Sequence, residues 1–295
     1  MKILVLMSAY NGEKYIREQL DSLFAQKGVE ASVLVRDDGS SDSTLAILEE
    51  YKAKYPLDYF TGENLKPAKS FMYLLFHAPD CDYYAFCDQD DVWDSGKLLA
   101  AVTALSRTNK PAMYYCAMTV TDDRLNPTGS YFRPEAYSRS LTASCLFGDE
   151  IAGCTMAFNR ALLQELRRYE PNYLTMHDGW VHRVCLAVGG EVFADSTPYI
   201  LYRQHGGNTV GMGKRSAVDR LGKLLHREKH FSRLAGEMLA GYGDDLQDEE
   251  RRFLSACADY RSGAAKQEIL RAARKTGVPD KKLTELKIKL YTGAF

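Results

Sequence analysis

The segment Asp88-Gln89-Asp90-Asp91 sets three carboxylates within four residues, directly after the apolar, β-prone run Tyr83-Tyr84-Ala85-Phe86-Cys87 and before Val92-Trp93. Carboxylates this close repel one another and raise each other's pKa, so they are comfortable only in water or around a cation that takes hard oxygen ligands. Mg2+ and Mn2+ are such cations. Mg2+ is usually held by one or two carboxylates and completes its shell with water and substrate phosphates, which makes a nucleoside diphosphate the natural co-ligand. A polar turn closed by Asx hydrogen bonds after a strand explains the same four residues without any ligand.

The elements that must position these acids are legible as a repeated unit. Lys2-Ile3-Leu4-Val5-Leu6-Met7 reads as a buried strand, followed by the loop Ser8-Ala9-Tyr10-Asn11-Gly12 and a helical pattern with Ile16, Leu20, Leu23 and Phe24 on one face. The unit repeats at once. Ala31-Ser32-Val33-Leu34-Val35-Arg36 is the next strand, Asp37-Asp38-Gly39-Ser40-Ser41-Asp42 a turn, and Leu45, Leu48 and Tyr51 mark a second amphipathic helix. Strands alternating with helices of this length predict an α/β fold with a parallel sheet covered on both faces. In such sheets ligands bind outside the carboxyl ends of the strands, so the loops after Met7, Arg36 and Phe86 converge on one ligand edge.

The loop Ser8 to Gly12, the turn Asp37 to Thr44 and the acid cluster Asp88 to Asp91, in this order and spacing, resemble glycosyltransferase family 2, the inverting enzymes of the GT-A fold. The resemblance continues through Asn64-Leu65-Lys66-Pro67-Ala68-Lys69-Ser70-Phe71, Gly153-Cys154-Thr155-Met156, His177-Asp178-Gly179-Trp180 and Tyr202-Arg203-Gln204-His205-Gly206-Gly207-Asn208. Within the family the wording is most similar to bacterial rhamnosyltransferases that build surface polysaccharides from dTDP-rhamnose. It implies a GT-A catalytic domain over residues 1–210: a Rossmann-like, mostly parallel central sheet flanked by helices. The nucleotide-sugar half would be about 1–110, the acceptor half about 111–210, and residues 211–295 a helical C-terminal extension.

The resemblance also implies roles for individual residues. Asp90 contacts a divalent metal, Mg2+ or Mn2+; Asp88 meets the ribose or the metal; His205 completes the metal or diphosphate site, and Asp91 shapes the turn. Asp38 or its neighbour Asp37 accepts N3–H of uracil or thymine, which favours a UDP or dTDP donor. The alternative is that Asp37 and Asp42 close the turn and cap the following helix. Ala9, Tyr10, Asn11, Asn64, Lys69 and Gln89 complete the nucleotide-sugar contacts, although a solvated helix lysine explains Lys69 equally. Asp178 is the base that deprotonates the acceptor hydroxyl, or an N-cap of the helix that follows it. Inversion of a β-linked dTDP-L-rhamnose would yield an α-rhamnoside, with no second carboxylate or covalent intermediate, in contrast with a retaining glycosidase. Trp180, Gly153 and Cys154 fall on the acceptor side, with the two glycine-flank residues on the cleft floor. Trp93 and Trp180, the two tryptophans of the chain, either stack on sugars or fill the core. The polar and aromatic segment from Asp122 to Asp149 reads as an acceptor-side loop.

Composition sets further expectations. Seven cysteines, an odd number with no C-x-x-C pair, read as reduced core residues of a cytoplasmic protein rather than disulfides or a zinc site. The first strand is too short for a signal-peptide core, and no run approaches the roughly 20 apolar residues of a membrane span. A formal net charge of -1 offers no reason to expect nucleic acid as a partner. Beyond about residue 210 the strand pattern stops: Gly206-Gly207 and Gly211-Met212-Gly213 read as a flexible junction, and the remainder as helices, basic from Lys214 to Arg233. That stretch suits an anionic membrane surface bearing a lipid-linked saccharide acceptor, or a solvated face against the catalytic domain or a second subunit of a homodimer. Two rival classes are a metal-dependent nucleotidyltransferase, disfavoured by the lack of a Gly-rich basic loop after the first strand, and a non-catalytic nucleotide-sugar-binding scaffold.

Overall fold

The computed structural model describes the chain except for residues 132–138, 148–150, 207–229 and 294. Its first half is the expected parallel unit. β1 (Lys2–Ala9), β2 (Glu30–Asp37), β3 (Leu57–Thr61) and β4 (Tyr83–Cys87) pair in the order β3-β2-β1-β4, all parallel. Ile3 to Met7 are buried on both sides because helices cover both faces of the sheet. α1 (Ile16–Phe24) buries Ile16, Leu20 and Leu23, the predicted face. α2 (Thr44–Lys52) buries Thr44, Ile47, Leu48 and Tyr51, with Leu45 half-buried at the edge of the stripe. α3 (Lys66–His77) inserts Phe71, Leu74 and Leu75 against the opposite face.

Past β4 the sheet becomes mixed. β5 (Val92–Trp93), α4 (Lys97–Leu105), β6 (Ala112–Thr121), β7 (Pro127–Tyr131), α5 (Leu141–Phe147), β8 (Met156–Asn159), α6 (Arg160–Leu166), α7 (His177–Ala187) and β9 (Glu191–Arg203) follow in chain order. β8 lies antiparallel between β4 and β6, while the 13-residue β9 runs parallel to β6 and antiparallel to β5. This closure matters for function. Val92 pairs with Leu201 and Trp93 with Ile200, so the chain leaving the acid cluster is stitched to the strand that ends at Arg203, two residues before His205.

Among the described residues, four helices follow the last strand: α8 (His230–Tyr242), α9 (Asp248–Ala258), α10 (Gly263–Lys275) and α11 (Asp280–Thr292). α8, α9 and α10 pack on α5, α8 also on α7, and α11 on α10; one continuous apolar cluster joins Leu4 and Phe86 of the sheet to Met238, Phe253 and Leu290 of these helices. All seven cysteines are free thiols, six of them buried. No helix among the described residues is long and apolar enough to cross a membrane. The junction Gly207 to Gly213 and the basic stretch from Lys214 to Lys229 lie outside the described residues, as does part of the Asp122 to Asp149 loop.

Candidate active site

At the carboxyl edge of the parallel half the loops after β1 and β2 lace together. Asn11 adopts φ 48, a left-handed conformation that asparagine tolerates better than most residues. Its Oδ1 accepts the Ser41 N–H at 2.9 Å, and its own N–H donates to Ser40 Oγ at 2.8 Å. Asp37 accepts from the backbone of Gly39 and Ser40 and from Ser40 Oγ, closing the turn. Asp42 accepts the Thr44 and Glu13 N–H groups and so ties the start of α2 to the first loop. The turn-closing role of Asp37 and Asp42 is therefore realised, whereas the N-cap position of α2 is Ser43 and carries no side-chain cap. Asp38 is buried, paired with Arg36 and accepting the Leu65 N–H at 3.0 Å. Through Leu65 it draws the segment carrying Asn64 and Lys69 to the same edge. Asn64 Oδ1 accepts the Lys66 N–H, and Lys69 is exposed on the first turns of α3.

Two assignments are corrected by this geometry. Gln89, expected among the donor contacts, has both ends of its amide on the Tyr10 backbone, accepting from N–H at 2.9 Å and donating to C=O at 3.0 Å. It braces the first loop against the acid cluster, leaving the Tyr10 ring exposed and Ala9 buried. Trp180, expected beside the acceptor, is fully buried between Tyr169 and Tyr242, with ring centroids 6.3 and 6.0 Å away. A ring with no exposed face cannot stack on a sugar. The indole faces inward because it lies three residues into α7, on the side that receives α8. Trp93 is likewise a core residue, capped by the Lys97 ammonium 3.4 Å from its ring centroid.

The three carboxylates of the acid cluster have different fates. Asp91 is completely buried, accepts the Arg203 N–H at 3.0 Å, and is pushed well above the usual carboxylate range by burial, Asp90 and Asp88. It anchors the turn. Asp90 is partly exposed and meets His205 Nε2 at 2.8 Å through Oδ2. Asp88 is pushed up to about 7 by burial and by the neighbouring charges of Asp90 and Asp178, against a hydrogen bond from the Cys154 thiol. Ligand atoms of Asp88, Asp91 and Cys154 also lie within 4.8 Å of one another. That trio suits a hard cation poorly, since burial holds the Cys154 thiol protonated and both Cys154 and Asp91 are out of reach of solvent. Asp88 and Asp90 offer carboxylate oxygen, the donor that suits Mg2+ or Mn2+, and the His205 imidazole lies against Asp90 rather than in the trio above.

Residues that sequence reasoning passed over hold this edge in place. Arg203 donates to the Asp90 carbonyl at 2.8 Å and the Asp123 carbonyl at 2.7 Å and pairs with Glu18 of α1. Its guanidinium lies 4.5 Å from the centroid of the Tyr15 ring, and that ring packs in turn against His205 at 4.7 Å. One buried cation thus ties α1, the acid turn, the β6–β7 connection and the His205 segment together. The sequence hints at it only by placing Arg203 directly after the apolar stretch Tyr199-Ile200-Leu201-Tyr202 and inside the Tyr202 to Asn208 motif.

Asp178 is the second residue of α7, whose N-cap position is Met176, so it is a first-turn acid rather than the cap. There the aligned peptide dipoles favour a carboxylate. Its charge raises the Asp88 carboxyl, so the expected base lies near the acid cluster. His177 packs beneath, stacked on Phe71 at 4.0 Å and edge-on to Phe86 at 4.7 Å. Burial pushes it down to about 3, so it is neutral, and neither ring nitrogen has a hydrogen-bond partner among the described residues. Gly153 makes room for it: a Cβ there would sit 2.5 Å from His177 Nε2. Gly153 and Cys154 are both buried, so neither is presented to an acceptor from the surface. Gly153→Ala is expected to cost about 1–3 kcal/mol through overpacking, read as a lower urea midpoint with an unchanged slope.

The raised Asp88 carboxyl has a pH consequence. Below about pH 7 it is protonated, so a cation binding through it must displace that proton. Apparent Mn2+ affinity is expected to fall by up to about tenfold per pH unit below 7 and to level off above it. Calorimetric titration in buffers on either side of neutrality measures this.

A parallel half joined to a mixed half of one sheet, with acidic residues and a histidine where they meet, is the architecture of the GT-A transferases. The chain belongs to Glycosyl transferase family 2, whose profile matches residues 4–167, more than half its length. Among relatives, the dTDP-rhamnosyl transferase RfbG of Shigella flexneri is 28% identical over 257 residues, covering 81% of this chain and 85% of that one. The UDP-Glc:alpha-D-GlcNAc-diphosphoundecaprenol beta-1,3-glucosyltransferase WfgD of Escherichia coli is 26% identical over 163 residues, 55% of this chain and 61% of its own. In fold the chain is similar to S. aureus TarS 1-349, solved with UDP-GlcNAc, at a TM-score of 0.64 and 20% identity, covering 100% of this chain and 90% of that one. The mannosyltransferase PcManGT of Pyrobaculum calidifontis, solved with GDP-Man and Mn2+, superposes at 0.52 with 19% identity, covering 99% and 79%.

Proposed function

We propose that this transferase moves L-rhamnose from dTDP-rhamnose, with inversion, to a hydroxyl of a growing cell-surface polysaccharide or lipid-linked saccharide. What supports the reaction type is that the charge of Asp178 raises the Asp88 carboxyl, so a candidate base lies near the acid cluster, as acceptor activation beside a departing diphosphate requires. The donor rests on the similarity to a dTDP-rhamnosyl transferase over four fifths of the chain. Asp38, oriented by Arg36 and the Leu65 amide, is assigned to N3–H of thymine, with Ala9, Tyr10, Asn11, Asn64 and Lys69 around the nucleotide.

Asp88, Asp90 and His205 would hold a divalent cation. When bound, it neutralises charge on the departing diphosphate as a Lewis acid. The chain's own groups do the rest. Asp178 accepts the proton of the acceptor hydroxyl as that oxygen forms its bond to the anomeric carbon. The bond from that carbon to the diphosphate breaks on the opposite face, and the released dTDP takes the electron pair. A β-linked donor then gives an α-rhamnoside, and the proton leaves from Asp178 to solvent.

A thermal-shift panel of dTDP-rhamnose, UDP-glucose, UDP-galactose, UDP-N-acetylglucosamine and GDP-mannose, each with Mn2+ or EDTA, tests the donor. A ligand bound only by the folded state raises the midpoint with the logarithm of its saturation. Selective, Mn2+-dependent stabilisation by dTDP-rhamnose is expected. Preference for a UDP-hexose or UDP-N-acetylhexosamine keeps the family and replaces the donor. Stabilisation without turnover on any saccharide acceptor favours a non-catalytic scaffold.

A further inference from the structure

Charge is unevenly distributed along the chain. Residues 261–295 contain nine Lys and Arg against three Asp and Glu, a net of +6 in a protein whose total is -1, so the preceding 260 residues carry -7. Two of these cations are neutralised locally: Arg271 pairs with Glu268 at 2.7 Å, and Lys275 with Glu249 at 2.5 Å. Lys281 and Lys287 of α11 are exposed and have no ion-pair partner among the described residues. The inner side of α11 is fixed by buried Leu286 and Leu290, and Phe295 packs beyond it against Phe231 and Tyr260 at 5.0 Å each.

The outer face is different. Lys281, Thr284, Ile288 and Tyr291 recur at three- and four-residue spacing and so share one stripe. Ile288 is 48% exposed and Tyr291 66%, the most exposed large apolar side chain among the described residues. Lys266 of α10 reaches over the Tyr291 ring at 4.9 Å. An isoleucine and a tyrosine standing out of a cationic surface match a membrane interface: the ring sits at headgroup depth and lysine stems lie alongside with their ammonium groups among phosphates.

We propose that the outer face of α11, with Lys266 of α10, docks the protein on an anionic lipid surface. The +6 end is drawn to the leaflet while the -7 body is held off it, which orients the molecule. A second copy of the chain is the weaker partner, because a two-fold contact would set this cationic face against itself. The face is separate from the basic stretch between Lys214 and Arg233. It deepens the lipid-linked part of the functional reading, yet vesicle binding is measured without donor, acceptor or turnover, so either can fail alone.

The test is sedimentation of the full chain with vesicles of mixed phosphatidylglycerol and phosphatidylcholine, or of phosphatidylcholine alone. Binding to the anionic vesicles only, relieved by high salt, is expected. Lys281→Glu with Lys287→Glu should weaken it by at least about tenfold. Ile288→Ser with Tyr291→Ser should weaken it to a similar degree at unchanged salt dependence, and both variants should keep the parent melting temperature. Equal binding to neutral vesicles, no binding to either, or parent affinity in both variants overturns the proposal. A dimer lost in these variants, with no vesicle binding, replaces lipid by a second copy.

Discussion

Asp178→Asn is expected to lower kcat by roughly 10²- to 10⁴-fold, the range that a positioned general base contributes, while the Mn2+-dependent melting shift with donor stays near its parent value. Asparagine is nearly isosteric and keeps a polar group in the first turn of α7, where Asp178 Oδ1 accepts the Gly179 N–H. What it removes is the capacity to take a proton. Because Asp178 also raises Asp88, the variant should lower the Asp88 pKa and bind metal slightly better at acid pH. A base is thereby separated from a merely structural acid: a structural acid would cost stability and spare kcat. Parent-like turnover in Asp178→Asn would sink the assignment.

Asp90→Asn should behave in the opposite way. Mn2+-dependent stabilisation by the donor should weaken by at least the roughly 10- to 100-fold seen when a metal's surroundings are altered, with turnover falling in parallel. Asp90 is the member of the acid turn that is both partly exposed and held against His205, whereas Asp91 is sealed under Arg203. His205→Ala should resemble Asp90→Asn more than Asp178→Asn, because its imidazole meets the same carboxylate at 2.8 Å. Asp91→Asn should instead register mainly as lost stability. Metal titration calorimetry of the three variants, read beside their urea midpoints, distinguishes the roles; an unchanged metal affinity in Asp90→Asn would remove it from the site.

The parallel half was legible because its evidence is local. Strand, loop and amphipathic helix follow one another within about 35 residues, and the three polar loops necessarily land on one edge once the strands are parallel. The acid cluster announced itself by residue type alone. The division of labour inside it came from the family resemblance, not from residue type. Asp88, Asp90 and Asp91 look equivalent in sequence, and they differ because Cys154, Arg203 and His205, at least 60 positions away, bury one, pair another and crowd the third. Gln89 looked like a ligand and is a brace, since Tyr10 lies within reach of its amide only after β1 and β4 pair.

The sequence by itself determined the family, the β-loop-α order, the edge at which a nucleotide sugar would sit and the acidic chemistry available there. The order and the edge follow from hydrophobic periodicity and short-range spacing, which survive without any long-range contact, and the family from the resemblance of its motifs. Only the tertiary structure decided which of those groups face the cleft. Trp180 and Trp93 became core, Gly153 became the space for a neutral His177, and Arg203 became the tie between α1 and the acid turn. The physical reason is that desolvation and hydrogen-bond partnership, which set whether a polar group is a ligand or an anchor, depend on neighbours that chain order does not reveal.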